Sequence, residues 1–176
     1  DVSGKGIGAA LWMALAQGLL GLLHDLDHPL EDLLPELNRA LVRHNPNNRF
    51  LTLGLVLIAP DGRTRWANAG HCAGIHLRPG RAPVLLPSTG PVLGLLPSPS
   101  WRVHDLELAP GDRIVFYSDG VTESTSPAGL ELDVDGAVAA LAAGAGESAE
   151  AAGRALLEAA AAHRAGGEAG DDVTVL

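Results

Sequence analysis

Three acidic positions in this 176-residue sequence have the residue type and the setting of divalent-cation ligands. Asp1 precedes a glycine-rich loop, Asp119 directly follows a predicted strand, and the Asp171-Asp172 pair opens the last predicted strand. Carboxylates at strand ends can meet at one rim of a sheet, and hard cations such as Mg²⁺ prefer such oxygen ligands. Asp-Gly and Gly-Asp are also common turn residues, and spacing alone favours that turn interpretation. Residue types by themselves leave both interpretations open.

Three other features are weaker candidates for chemistry. The glycine-rich segment at residues 4–8 lacks both phosphate-binding glycine patterns, although the start of a helix there would favour an anion. His24 and His28 are four residues apart and would share a helical face as transition-metal ligands, but the following Pro29 favours an exposed turn. His71 is a candidate general acid, with a turn or core histidine as the favoured interpretation.

Composition narrows the class of protein. Apolar residues make up 47% of the chain, so 176 residues fit one domain with a sizeable core. The net charge of -9 argues against a nucleic-acid binder and suits a protein that collects divalent cations. Cys72 is the only cysteine, which excludes an internal disulfide and makes a reducing cytoplasm the natural compartment. We expect Cys72 to pack as a small buried hydrophobe.

The two ends of the chain and its apolar runs give further expectations. No signal peptide is apparent, and no apolar run is expected to approach the roughly 20 residues that cross a bilayer. A membrane anchor elsewhere in a longer protein is compatible with this expectation. The chain opens on Asp1 without an initiator Met and stops inside the apolar run from Val173 to Leu176. We therefore expect a segment excised from a larger protein.

The predicted elements that position the acidic residues come in the order helices, strands, helices and a last strand. Apolar periodicity predicts helices at Ala9–Leu23, expected to be buried on most faces, and at Pro29–His44. Six strands are predicted next, at Phe50–Ile58, Thr64–Asn68, Gly74–Arg78, Pro83–Leu86, Trp101–Leu108 and Arg113–Ser118. Two Ala-rich helices, Val134–Ala143 and Ser148–Arg164, precede a last strand at Val173–Leu176. Short turns imply antiparallel pairing, and the segregated helices predict an α+β fold in one domain over residues 1–176.

An ordered series of motifs resembles one protein family. In chain order the motifs are Asp1-Val2-Ser3-Gly4-Lys5-Gly6, Asn68-Ala69-Gly70-His71, Pro110-Gly111-Asp112, Tyr117-Ser118-Asp119-Gly120-Val121-Thr122-Glu123 and Asp171-Asp172-Val173-Thr174. The series resembles the protein phosphatase 2C-like (PPM) family, in its bacterial branch of stage II sporulation protein E and stress-sigma-factor regulators. The resemblance covers the whole chain. It implies an αββα sandwich of two antiparallel sheets flanked by helices.

Carried over residue by residue, this resemblance implies a metal site. Asp1 matches the family aspartate that bridges two metal ions, and the backbone carbonyl of Val2 matches the neighbouring ligand. Asp119 and Asp171 match carboxylates of the second metal, while Asp172 stands where many relatives have Asn. The implied cofactors are two Mn²⁺ or Mg²⁺ ions, which would activate a water for attack on a phosphate monoester. Asp1, Asp119 and Asp171 are the implied catalytic residues.

The resemblance also implies a function and partners. We expect a protein serine/threonine phosphatase that hydrolyses phosphoserine on a phosphorylated anti-sigma-factor antagonist, under control of an N-terminal sensor domain. A homodimer is compatible with this assignment, and nucleic acid is not expected. A family Gly-Asp motif with another metal-binding aspartate would precede Asp1, so we expect an incomplete domain that binds metal weakly and has little activity. The alternatives are a non-catalytic regulatory module with the same fold and a phosphatase for small phosphoesters.

Overall fold

A computed structural model describes residues 1–26, 28–45, 48–143 and 148–176, and the chain divides into two compact units. Unit 1 comprises Asp1–His71 and Ser88–Glu107, and unit 2 comprises Cys72–Pro87 and Leu108–Leu176. Each unit contains one three-stranded antiparallel sheet and its own helices, which confirms the predicted α+β class with two antiparallel sheets. The extent of the domain over residues 1–176 stays a prediction.

The helices and strands follow the predicted order, with small shifts of their ends. In chain order they are α1 (Ile7–Asp25), α2 (Leu30–Arg43), β1 (Leu53–Ile58), β2 (Arg63–Ala69), β3 (Gly74–Leu77), β4 (Val84–Leu86), β5 (His104–Glu107), β6 (Arg113–Val115), α3 (Asp119–Thr122), α4 (Asp133–Ala143) and α5 (Ala149–His163). The short helix α3 was not predicted, because a four-residue helix is too short to show a periodicity.

Unit 1 is a sheet of strand order β1-β2-β5 with α1 and α2 packed in one apolar core. The central strand β2 pairs along β1 from Leu53 opposite Ala69, and it pairs with β5 from Arg63 opposite Glu107. The predicted one-sided apolar face of α2 is confirmed, since the helix buries the leucines Leu30, Leu33, Leu34, Leu37 and Leu41.

The burial predicted for the first helix is wrong. Only Ala9, Trp12 and Ala16 of α1 are buried, whereas Ile7 is 81% exposed and Leu11 is 68% exposed. The reason is that α1 packs along one side only, so an apolar sequence on most faces does not imply neighbours on most faces.

Helix α1 also contradicts the expectation that no apolar run approaches the length needed to cross a bilayer. Its 19 residues pass the length and composition test for a membrane-crossing helix, with 17% of that stretch buried. One helix that passes this test is weak evidence, because core helices and signal sequences pass it as well.

Unit 2 is a sheet of strand order β4-β3-β6 with α4 and α5 contributing to its core. Ile75 and Val115 are paired neighbours on β3 and β6, and both belong to that core. Leu141 of α4 and Leu156 of α5 are fully buried in the same cluster. Ser148 caps α5, because its side chain accepts a hydrogen bond from the Ala151 N–H.

The predicted last strand is reduced to one bridge in unit 2. Val175 pairs with Tyr117 in an isolated antiparallel bridge, just beyond the end of β6. On one side of the bridge, Phe116 and Leu176 exchange two backbone hydrogen bonds, from Phe116 N–H to the Leu176 oxygen at 3.1 Å and from Leu176 N–H to the Phe116 oxygen at 2.9 Å. The segment that carries Asp171 and Asp172 therefore leads into a short pairing beside β6.

Candidate metal centre

In unit 2, Asp119 lies where the chain turns from the β6 region into a helix. Ser118 has an extended backbone and stands at the N-cap of α3, so Asp119 is the first residue of that helix. The next residue, Gly120, is buried, whereas Asp119 itself is partly exposed. The Asp119 side chain therefore lies at a strand-to-helix turn and reaches solvent, as a cation ligand requires.

Gly120 lets two chain segments pass within backbone contact. A Cβ atom added to Gly120 would overlap the carbonyl oxygen of Asp172 and would lie 3.2 Å from that of Asp171. Backbone atoms cannot rotate aside as a side chain can, so only glycine allows this approach. The residue after Asp119 thus touches the Asp171-Asp172 pair, and unit 2 brings these predicted ligands into one region.

Hydrogen bonds of Ser118 also hold the turn that carries Asp119 against the segment that follows Asp171. Its hydroxyl donates to the Asp172 oxygen at 2.7 Å and accepts from the Thr174 N–H at 2.9 Å. Its backbone N–H donates to the Thr174 oxygen at 3.0 Å. Asp171 Oδ1 accepts the Asp172 N–H at 2.8 Å, so one carboxylate oxygen of Asp171 is already oriented by the local backbone.

In unit 1, Asp1 and Val2 belong to a segment that pairs with the chain before β1. Val2 forms an antiparallel bridge with Leu51, flanked by hydrogen bonds from Ser3 N–H to the Phe50 oxygen and from Thr52 N–H to the Asp1 oxygen. In such a bridge the flanking residues make the hydrogen bonds, and the bridged residue directs its own carbonyl away from that partner. The Val2 carbonyl is thus available for another partner, as its predicted ligand role requires.

The donor set fits a hard divalent cation. Unit 1 offers the Asp1 carboxylate and the Val2 carbonyl oxygen, and unit 2 offers the carboxylates of Asp119, Asp171 and Asp172. Each set is of the oxygen type that Mn²⁺ or Mg²⁺ prefers. Within either unit, and for the residues that the structure describes, no three His, Cys, Asp or Glu side chains form a group that could hold a metal ion. The assignment of these five residues as ligands therefore stays a prediction.

Two core groups beside Asp119 have altered acidities. Burial raises the pKa of the Cys72 thiol, and the negative charge of Asp119 raises it further, so the thiol stays protonated. Cys72 packs against the core of unit 2, but it is only partly buried and so less buried than predicted. Burial, with a smaller effect of Cys72, raises the pKa of Tyr117 to about 12. Both groups are neutral at physiological pH.

The residues that were weaker candidates for chemistry lie in turns or at helix ends. His71 donates its backbone N–H to Asn68 Oδ1 at 2.7 Å, and its Nδ1 lies 2.8 Å from Thr52 Oγ1, an arrangement that suits the turn interpretation. His24 lies in the last turn of α1, whereas His28 lies beyond the end of that helix, so the shared helical face is wrong. The segment at residues 4–8 leads into α1 at Ile7, without a side-chain cap.

Two supporting residues were missed by sequence reasoning. Gly120 and Ser118 are both inside a motif that was noted, but these two residues themselves contact the Asp171-Asp172 segment and so place it beside the turn that carries Asp119. The only sequence signal was the glycine directly after an aspartate, which also reads as an ordinary turn. Contacts between residues more than 50 positions apart have no local signature.

Comparisons with known proteins identify the family. The model of the Stage II sporulation protein E (SpoIIE) family matches residues 1–176. This chain belongs to the SpoIIE family, which confirms the resemblance to that branch of the PPM phosphatases.

Two curated relatives match much of the chain. It is 27% identical over 156 residues to Protein IcfG of Synechocystis sp., which covers 72% of this chain and 24% of that protein. It is 31% identical over 132 residues to Phosphoserine phosphatase RsbU of Bacillus subtilis, which covers 74% of this chain and 39% of that protein. The chain thus spans less than half the length of either relative.

Solved structures share the fold. The PP2C domain of SiaA from Pseudomonas aeruginosa matches with a TM-score of 0.85 at 19% identity, over 99% of this chain and 70% of that one. The SpoIIE phosphatase domain with a fragment of its regulatory domain, from Bacillus subtilis, matches with a TM-score of 0.79 at 21% identity, over 99% and 51%. The catalytic domain of the serine threonine protein phosphatase PstP, in complex with two manganese ions, matches with a TM-score of 0.66 at 22% identity, over 99% and 83%.

Proposed function

We propose that this chain is a metal-dependent protein serine/threonine phosphatase that hydrolyses phosphoserine. The observation that carries the proposal is the junction in unit 2, where Gly120 and Ser118 hold Asp119 beside the Asp171-Asp172 segment. A carboxylate held beside an acidic segment that is distant in the sequence offers the oxygen donors that a hard divalent cation prefers. Membership of the SpoIIE family and the manganese complex of PstP, a structural neighbour, support a metal as its ligand.

The proposed roles of the residues follow from their chemistry. Asp1, Asp119 and Asp171 are the catalytic metal ligands, and the Val2 carbonyl and Asp172 complete the oxygen donors. When bound, two Mn²⁺ or Mg²⁺ ions supply Lewis-acid stabilisation and an activated water for hydrolysis of the phosphate monoester. The chain contributes carboxylates on fixed backbone, and Ser118 keeps the segment with Asp172 in place.

We propose a phosphorylated anti-sigma-factor antagonist as the substrate and the cytoplasm as the compartment. The relative named Phosphoserine phosphatase RsbU supports the phosphoserine part of this assignment. The similar SpoIIE structure with a fragment of a regulatory domain supports control by an N-terminal sensor domain. Another structural neighbour joins RsbU and RsbW domains in Rv1364c from Mycobacterium tuberculosis, which supports a place among such regulators. A homodimer would be compatible with this role.

The test is release of phosphate from a phosphoserine protein by the full-length protein, measured with Mn²⁺, with Mg²⁺ and after chelation by EDTA. We expect activity only with metal, and an Asp119→Ala variant should lose it. The matched control is Asp135→Asn, which removes an exposed carboxylate near the start of α4 in the same unit and should keep full activity.

Three outcomes separate the alternatives. If Asp119→Ala kept its activity, the metal assignment would fall. A wild-type protein that binds a partner but releases no phosphate would instead be the regulatory module. A protein that hydrolyses p-nitrophenyl phosphate but leaves the phosphoserine protein intact would be a phosphatase for small phosphoesters.

A further inference from the structure

The segment that carries Asp1 and Val2 is held by more than backbone pairing. Its next residue, Ser3, accepts the Phe50 N–H on its hydroxyl at 2.8 Å and donates its own N–H to the Phe50 oxygen at 2.9 Å. This leaves the Ser3 carbonyl to be satisfied by another donor. That donor is a side chain, Arg49, whose Nη1 lies 2.8 Å from the Ser3 oxygen.

The guanidinium of Arg49 also fits against the glycines of the loop. A Cβ atom added to Gly4 would lie 2.6 Å from Arg49 Nη1, and one added to Gly8 would lie 3.1 Å from Arg49 Nη2. The glycine-rich loop therefore leaves room for a planar cation. Arg49 also lines an open cleft of ≈ 250 Å³ with Trp12 and Leu15, so solvent would replace a truncated side chain.

Arg49 is in turn fixed by Asn45, which follows the end of α2. Asn45 Oδ1 accepts the Arg49 N–H at 2.8 Å, and Asn45 Nδ2 donates to the Arg49 oxygen at 2.7 Å. The same Nδ2 group donates to the Gly94 oxygen at 2.8 Å. Both backbone groups of Arg49 are thus held by one amide, which aims the guanidinium at the loop.

We infer that Arg49 is a positioning residue for the metal-ligating segment Asp1-Val2. This inference rests on the proposed function, since it assumes that the segment binds a metal ion. Arg49 does not touch the metal or the substrate in this scheme. It fixes the Ser3 carbonyl, one residue from Val2, and so restricts the directions available to the Val2 carbonyl and the Asp1 carboxylate.

The first experiment measures Mn²⁺ binding to the full-length protein directly, from the loss of the free Mn²⁺ signal in electron paramagnetic resonance. We expect Arg49→Ala to raise the Kd for Mn²⁺ by about tenfold, the size expected when one hydrogen bond from a charged donor is lost. Arg49→Lys should recover part of the affinity, because an ammonium group can still donate to the Ser3 carbonyl. The matched control is Arg63→Ala, which removes an exposed arginine of unit 1 that pairs with Asp61.

The activity readout separates positioning from catalysis. For Arg49→Ala we expect the Mn²⁺ concentration at half-maximal activity to rise with the Kd, while kcat at saturating Mn²⁺ stays within about twofold of wild type. A loss of kcat that saturating Mn²⁺ does not restore would overturn the positioning role.

A second experiment tests the contact with the glycine loop. Gly4 and Gly6 both have positive φ, 88° and 82°, but a Cβ atom on Gly6 would meet nothing within 4 Å. Gly6→Ala therefore controls for backbone strain alone. We expect Gly4→Ala to weaken Mn²⁺ binding more than Gly6→Ala does, and the two to become equal in the Arg49→Ala background.

The outcomes distinguish failure of the inference from failure of the proposed function. A wild-type protein that binds no Mn²⁺ overturns both. A wild-type protein that binds Mn²⁺, with an Arg49→Ala variant of equal affinity, overturns only the role of Arg49. Equal effects of Gly4→Ala and Gly6→Ala in the wild-type background do the same, and this comparison remains decisive if Arg49→Ala fails to fold.

Discussion

In unit 1, Asp1 belongs to a segment held by backbone pairing and by the flexible side chain of Arg49. In unit 2, by contrast, the residue after Asp119 touches the backbone of Asp172 directly. The first arrangement can relax when a neighbour changes, because a guanidinium can rotate away. The second cannot, because both partners are main chain. We therefore expect the glycine contact of unit 2 to tolerate substitution less well than the glycine contact of unit 1.

The largest expected effect tests this difference at Gly120. Gly120→Ala places a Cβ atom on the Asp172 carbonyl, so we expect a loss of about 3 kcal/mol in the free energy of unfolding, from overpacking against rigid backbone. Urea denaturation measures it. Gly153→Ala in α5 is the control, because its Cβ would meet only Val175 Cγ1 at 3.8 Å and alanine favours a helix. If Gly120→Ala cost no more than Gly4→Ala, the contrast between the two units would be wrong.

The buried polar groups of the two units differ in charge. In unit 2, His76 Nε2 lies 3.0 Å from Asp112 Oδ2, with side-chain exposures of 3% and 6%. Burial opposes ionisation of Asp112, but the Ala109 N–H and His76, aided by the charge of Arg78, together hold the pKa of Asp112 below its ordinary value. In unit 1 the corresponding buried group is a neutral amide, Asn38, which bonds the backbone of Leu96 and Gly94.

This difference predicts that substitution of Asp112 has an effect that depends on pH, whereas substitution of Asn38 does not. A depressed carboxyl pKa stabilises the fold above its unfolded-state value, and this stabilisation is lost as the pH falls below about 4. Asp112→Asn should therefore lower the free energy of unfolding by about 2 kcal/mol at pH 7, and by progressively less in acid. Asn38→Ala should cost a similar amount at every pH, because it removes no ionisable group. Thermal unfolding from pH 3 to pH 7 checks both, and parallel pH profiles would remove the distinction.

Each unit also buries a polar donor that has no hydrogen-bond partner within the described part of the chain, Trp12 Nε1 in unit 1 and the Tyr117 hydroxyl in unit 2. Only the tyrosine has an isosteric apolar replacement. Tyr117→Phe should raise the free energy of unfolding by about 1 kcal/mol, since it removes a desolvated hydroxyl and keeps the ring. Calorimetry would show a higher Tm. A lower Tm would mean that the hydroxyl has a partner in solution.

The smallest expected effect concerns the exposed side of α1. Leu11→Gln changes a residue that is 68% exposed, so the free energy of unfolding should change by less than about 0.5 kcal/mol. Leu34→Ala in α2 is the contrast, because Leu34 is fully buried and its truncation should cost about 3 kcal/mol. Urea denaturation of the two variants compares the helices directly. A large loss in Leu11→Gln would show that the exposed side of α1 is covered in solution.

The chain itself determined the kinds and order of the elements. The one-sided apolar pattern of α2 predicted the face that is buried, since periodicity and burial have the same cause in a surface helix. Alternation and turn residues predicted the strands, and short connections account for the antiparallel pairing of β1 with β2 and of β3 with β4. The pairs β2-β5 and β3-β6 join strands that are distant in the chain, and the short β5–β6 turn joins strands of different sheets. The predicted ligands Asp1, Asp119 and Asp171 came from motif order, and their role as ligands stays a prediction.

Tertiary structure alone decided which surfaces are covered and which distant segments touch. An apolar sequence around α1 does not say that only one side meets the core, because exposure depends on neighbours that are far away in the chain. The backbone contact of Gly120 with Asp172, and the hold of Arg49 on Ser3, join residues separated by 52 and 46 positions. Such contacts have no local pattern, since the glycine and the arginine look like ordinary turn and surface residues until the fold brings their partners to them.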